Sequence, residues 1–220
     1  MSGSRRVMAV AILVALGLTC GGCAPVAWLV AVFAPPKSVP AVCKLPKGKK
    51  VLVFVDDINN PVRYEQLKRE LTEGINNCLL RQNVAAQVVP YEQLFRLIAS
   101  RPDFNLLGVS NVGQLLGADL VIYVLIDEFS LKDRPGGVLW HGRLRTTVRV
   151  VKVGIETPLW PTDRPMGHAL ESVETPETTD SSAAYGKKVA SDLAEQMAQG
   201  VARLFYDYTV PREYFSSRWE

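Results

Sequence analysis

The chain has 220 residues, of which 48% are apolar and 21% charged, and its net charge is +3. That length suits one ordinary domain with appendages, and the composition suits a folded chain rather than a disordered one. Arg5 and Arg6 supply two of the three net charges, so the body is close to neutral. Such a body offers no electrostatic reason to bind nucleic acid.

The elements begin with an export signal over residues 1–22. Arg5 and Arg6 form a basic end, and an apolar run from Val7 to Leu16 follows. The basic end stays in the cytosol while the apolar helix enters the translocation channel. Small residues and two cysteines come next, in the order Gly17-Leu18-Thr19-Cys20-Gly21-Gly22-Cys23. This segment resembles the lipobox of bacterial lipoproteins, which implies a cysteine joined to diacylglycerol and left as the first residue after cleavage. Cys23, preceded by the small Gly22, is the first choice for that residue; Cys20, preceded by Thr19, is the second. Two or three acyl chains hold a protein on a membrane where one does not. Ala24 follows Cys23 where some bacteria use aspartate for inner-membrane retention, so the resemblance implies the outer membrane, facing the periplasm. Ser4-Arg5-Arg6 also resembles a twin-arginine signal, but the strongly apolar run suits the ordinary secretory route. The alternative is an uncleaved anchor. The charge-free stretch from Val7 to Ala34 is 28 residues long, more than the ~20 a bilayer span requires. Gly21, Gly22 and Pro25 divide it, which favours the cleaved signal.

Residues 23–49 hold Pro35, Pro36, Pro40, Pro46 and several lysines, and read as an extended tether. Cys43 and Cys78 are expected to be free thiols, with a bridge between them as the alternative in an oxidising compartment. No CxxC follows Cys23 and the two histidines lie far apart, so neither a metal nor any other cofactor is expected.

Residues 50–208 carry the pattern of one α/β domain. Val51–Val55 is wholly apolar, as in a strand buried on both faces. Pro61 is placed to start a helix reaching about Gln82, with Leu67, Leu71, Ile75 and Cys78 on one face. Gly74 weakens that helix. Val84–Val89 reads as a second strand. Pro90 and Tyr91 open another helix with Leu94, Leu97 and Ile98 inward, and Ser110 is placed to cap a short helix that Gly117 stops. Leu120–Leu131 is the longest strand, apolar at first and alternating later. Asp133 to Gly137 is a turn. Leu144 to Val153 alternates, with Leu144, Thr146, Val148 and Val150 inward, and forms an antiparallel partner. Thr157–Pro161 reads as an edge strand because prolines exclude it from a sheet centre. Met166–Val173 reads as a further strand. Ser181–Tyr206 is a long helix with Val189, Leu193, Met197, Val201 and Phe205 on one face, and residues 209–220 form a polar tail. The order predicts an α/β fold: a mixed sheet with a parallel first half, an antiparallel meander in the second, helices packed on it and a closing C-terminal helix.

Three features carry a family resemblance over about Lys50 to Tyr208. They are the first strand and its helix, Leu116-Gly117-Ala118-Asp119-Leu120-Val121-Ile122 ahead of the long strand, and Leu159-Trp160 after the hairpin. Together they resemble the group of exported lipoproteins containing the curli-secretion lipoprotein, the penicillin-binding-protein activator lipoproteins and the amino-terminal domain of TolB. The resemblance implies an envelope domain that binds other proteins or itself, with no catalytic residue to carry over.

The residues themselves leave several readings open. Trp160 is a core or edge aromatic, or an anchor for a partner. Arg143, Arg145 and Arg149, with Lys152, read as one face of a strand that is either a solvated face guarding an edge or a contact for acidic headgroups or an acidic partner. Asp56, Asp57 and Asp127 at strand ends resemble the acidic cluster of a response-regulator receiver and could hold a cation; solvated turn formers are the plainer reading. An exported enzyme using those carboxylates and His141 requires them to share one pocket. No GxSxG, HExxH or phosphate loop accompanies them. The leading expectation is a lipid-anchored, non-catalytic adaptor that binds envelope proteins, with self-assembly through the hairpin edges as a further possibility.

Overall fold

The computed structural model describes residues 37–58, 62, 64–132, 137–155, 157–178 and 180–210. The signal, Cys20, Cys23, Pro61, most of the turn at 133–137 and residues 211–220 lie outside them. In chain order the elements begin with β1 (Lys37–Val39), β2 (Lys50–Asp56), α1 (Glu65–Arg81), β3 (Gln87–Val88), α2 (Tyr91–Ser100) and α3 (Val109–Leu115). They continue with β4 (Leu120–Ser130), β5 (Arg143–Lys152), β6 (Pro158–Trp160), β7 (His168–Ala169), β8 (Val173–Glu174), α4 (Ala183–Arg203) and β9 (Tyr208–Val210). The chain divides into two units, Met1–Val39 with Thr209–Glu220, and Pro40–Tyr208. β1 and β9 form a two-stranded sheet. The larger unit begins at Pro40, ahead of the first strand of the pattern. Leu45 is buried, and the Cys43 amide donates to the Leu204 carbonyl at 2.9 Å, so this end of the tether is packed rather than extended.

The larger unit is the predicted mixed sheet. Its strands run in the order β3-β2-β4-β5-β6, with β7 and β8 also paired to β5. β2 is parallel to β3 and β4, whereas β5 is antiparallel to β4, β6, β7 and β8. The apolar run of β2 occupies the interior because it is flanked on both sides and covered on both faces. Alternation then sorts its side chains. Val51, Val53 and Val55 join α1 and α4 in one core, while Leu52 and Phe54 join α2 and α3 in another.

The larger core is closed by α4, where Val189, Leu193, Met197 and Val201 are all buried and Phe205 follows just beyond the helix. The Ser182 hydroxyl caps that helix, accepting from the Tyr185 amide at 3.2 Å. Gly74 proves to be a packing residue: a Cβ there would sit 2.8 Å from the Ala198 Cβ, so its absence lets α1 and α4 meet.

Several boundaries differ from the sequence pattern. α1 begins at Glu65 with Tyr64 ahead of it, because the Asp57 carboxylate holds the approach by accepting from the Val62 amide at 2.7 Å. The second strand shrinks to Gln87–Val88. Ile98 is exposed rather than inward, since Leu94 alone of its helix is fully buried. Gly108, not Ser110, precedes α3; the Ser110 hydroxyl accepts from the Gly154 amide at 2.9 Å instead. Met166–Val173 resolves into β7 and the start of β8. Cys43 and Cys78 are both free thiols. Among the described residues no helix is long and apolar enough to cross a membrane.

Candidate functional site

The Leu116–Ile122 motif explains itself structurally. Gly117 has φ +63°, a left-handed conformation that ends α3 and that a side chain would strain. The Asp119 carboxylate accepts from the Lys50 amide at 2.9 Å, and the Asp119 amide donates to the Lys50 carbonyl at 2.8 Å. Those bonds clamp the starts of β2 and β4 side by side. The Lys50 amide, followed by the charge of Lys49, holds the Asp119 carboxyl below the usual carboxylate range. This motif builds the sheet.

The candidate arginines lie on the opposite sheet face from α1 and α4. β5 turns Leu144, Thr146, Val148 and Val150 into the larger core, and all four are buried. Period-two alternation sends Arg143, Arg145, Thr147, Arg149 and Val151 the other way. Lys152 has the wrong parity for that row and drops out of it. The row is not uniform either. A β-bulge between Ile126 and Glu128 brings Glu128 opposite Arg145. Glu128 lies 3.5 Å from Arg143 and 3.6 Å from Arg145, and Glu174 accepts from Arg143 Nε at 2.7 Å. These pairs lie at the surface, where solvent screens them, so they orient charge more than they stabilise.

Arg149 is different. Its guanidinium lies over the Tyr123 ring, 4.4 Å from the centroid, and no carboxylate among the described residues forms an ion pair with it. The Tyr123 hydroxyl donates to Asp56 Oδ2 at 2.6 Å. Burial first, then the Asp56 carboxylate, raises the phenol far above its usual pKa range, against the pull of Arg149. Tyr123 therefore stays protonated throughout the physiological range.

The carboxylates do not gather. Asp56 faces Tyr123 and also accepts from the Asp57 amide at 2.8 Å. Asp57 pairs instead with Lys68 of α1 at 3.2 Å, on the side of the larger core. Asp127 accepts from the Thr147 hydroxyl at 2.7 Å. Asp56 pairs in register with Leu125, so Asp127 lies two residues further along the neighbouring strand, on the order of 8 Å away between Cα atoms. His141 lies just ahead of β5, its amide donating to the Leu131 carbonyl at 3.0 Å and its Nε2 3.9 Å from Glu174. No three His, Cys, Asp or Glu side chains among the described residues gather as metal ligands.

Trp160 sits on β6 in register with Val150. It packs on the larger core, with ring centroids 5.2 Å from His168 and 6.3 Å from Phe205, which is the edge-aromatic arrangement. Burial first, then the Arg164 charge, lowers the His168 pKa. Tyr123, Thr147, Glu128 and Glu174 are the site residues that the sequence pattern did not single out.

On this face α2 and α3 cover only one end of the sheet, around Leu52, Val121 and Val151. Phe54 and Tyr123 are buried in that same core, with Arg149 over the Tyr123 ring, and the end beyond them presents Asp127, Glu128, Arg143 and Arg145.

The chain matches no family model and no curated protein sequence. Solved structures give weak likenesses. A dodecamer of a PelC variant from Paraburkholderia phytofirmans is 16% identical at a TM-score of 0.42, covering 78% of this chain and 98% of that one. Lipoprotein GNA1162 from Neisseria meningitidis is 15% identical at 0.38, covering 70% and 99%. A minor lipoprotein from Acinetobacter baumannii is 10% identical at 0.38, covering 72% and 91%. Bacterial lipoproteins thus recur among the neighbours, and at these identities and scores the likenesses carry no further inference.

Proposed function

We propose that this protein is a lipid-anchored, non-catalytic adaptor or assembly protein of the bacterial envelope. Its anchor is the acylated Cys23, with Cys20 as second choice, and it sits on the periplasmic side of the outer membrane. It binds envelope proteins through the uncovered charged face of its sheet. The observation that carries this reading is that face: one side of the sheet is sealed by two long helices, whereas the other is left half bare and lined with oriented charges. An antiparallel sheet end can stand in water, and a row of oriented charges on it offers a protein partner electrostatic complementarity. The carboxylates there hold Tyr123, Thr147 and the arginines in place, which supports a positioning role for them. The finer resemblance to the curli-secretion, penicillin-binding-protein activator and TolB group supports the same reading through its sequence motifs. Self-association through β3 or β6, the ends of the strand order, belongs to it as well, and sedimentation of the domain without its anchor tests that part.

Labelling with radioactive palmitate in an expressing bacterium tests the anchor. The expected result is a labelled band in the outer-membrane fraction that Cys23→Ala abolishes. An unlabelled protein whose Cys23→Ala form still sediments with membranes would overturn the proposal.

A further inference from the structure

The cleft beside Arg149 holds a charge without a counter-ion. Along β5, Arg143 and Arg145 are neutralised by Glu128 and Glu174. Arg149 has no ion pair among the described residues, and the Asp56 and Asp127 carboxylates accept from the hydroxyls of Tyr123 and Thr147. Its Nε is buried and makes no hydrogen bond. Withdrawing part of a guanidinium from water without a paired carboxylate is unfavourable, and the Tyr123 ring offsets only part of it.

Arg149 borders an open cleft of about 510 Å³, within the usual range for small-ligand sites. Its polar lining is Arg149 with Ser110, Asn111 and Gln114, and Val151 and Pro158 form apolar walls. None of the described lining residues is acidic. Ser110 already accepts from the Gly154 amide, so its own O–H is left to donate. One guanidinium, a hydroxyl and two amides beside apolar walls fit a single negative charge on a short apolar body. A phosphate dianion would call for more than one cation.

We infer that this cleft binds a carboxylate, carried by a small organic acid or by the end of a peptide, with Arg149 as its charge partner. The site is read from the cleft itself and stands apart from the anchor and the adaptor reading, so its failure would leave those in place. The test is titration of the full-length chain in detergent micelles, following the amide and Arg Nε–H resonances by NMR. Two acids, propionate and the tripeptide Ala-Ala-Val, are compared with their amides. Saturable shifts at Ser110, Asn111, Gly154 and Arg149 are expected with the acids and not with the amides. Arg149→Gln should weaken binding at least tenfold. Arg149→Lys should also weaken it, because the flat fork is lost, while Gln114→Ala, on the exposed side of α3, should weaken it a few fold in a chain that folds normally. At least tenfold tighter binding of the peptide than of propionate identifies a polypeptide carrier, and equal binding a small acid. Shifts that stay linear with concentration, amides that bind as well as acids, or binding unchanged in Arg149→Gln and Gln114→Ala would each overturn the inference.

Discussion

On the α1/α4 side, β4 presents Leu120, Ile122, Val124 and Ile126, all buried, and β5 answers with Leu144, Thr146, Val148 and Val150. On the α2/α3 side the same two strands present Val121, Tyr123, Leu125 and, past the bulge, Glu128 against Val151, Arg149, Thr147 and Arg145. One face is dry from end to end, and the other passes from apolar to charged along its length. Both come from one alternating sequence, so the contrast is set by what covers each face. The fully covered side holds the fold together, and the bare end is free to serve recognition.

The largest effect that separates the two faces is a truncation on each. Ile122→Ala on the sealed face should cost about 2–5 kcal/mol, as cavity-forming changes do. Leu125→Ala, next door on the half-open face, should cost roughly 1 kcal/mol or less. Urea unfolding of both variants measures the gap, and equal losses would mean that the open face is also a sealed core. A smaller effect sharpens the account of the sealed side. Helix propensity alone makes Gly74→Ala favourable by about 1 kcal/mol. The 2.8 Å approach to the Ala198 Cβ reverses the sign, and the net loss should be about 1–3 kcal/mol. A stabilised Gly74→Ala would show that α1 and α4 can part without cost.

The smallest effect concerns pH. His168 beside Trp160 binds its proton more weakly when folded than when unfolded, because burial and Arg164 oppose the charge. The unfolded chain therefore takes up more protons below about 6.5. Stability is full above that pH and declines as the pH falls below it. His168→Gln should flatten this decline in urea midpoints taken between pH 7.5 and 5.5, and an unchanged slope would count against it.

Much of this contrast could be read in the residues. The fourfold spacing from Val189 to Phe205 and the alternation from Leu144 to Val150 are local signals, and the structure follows both. The parallel start was visible because Val51–Val55 has no polar side. What was not legible depends on register. The bulge beyond Ile126 decides that Glu128, and not Asp127, meets Arg145, and no local pattern announces it. Asp56 and Asp57 look like a pair in sequence, yet the chain turns one toward Tyr123 and the other toward Lys68. Ile98 continues a helical apolar stripe and is exposed all the same, because only a short stretch of sheet lies under α2. Arg149 looks equal to Arg143 and Arg145 until the pairing of β4 with β5 shows which arginines have carboxylates opposite them.

The proposed recognition surface can be tested in intact cells by placing a photoreactive benzoylphenylalanine on each side of the domain. Arg145 is exposed on the bare end of the sheet, and Gln196 is exposed on the outer side of α4. Irradiation should give a discrete adduct of one size from position 145, lost when Arg143→Glu is added, and none from position 196. An adduct from position 196 alone, with position 145 silent, would contradict the assignment of the uncovered face as the site of recognition.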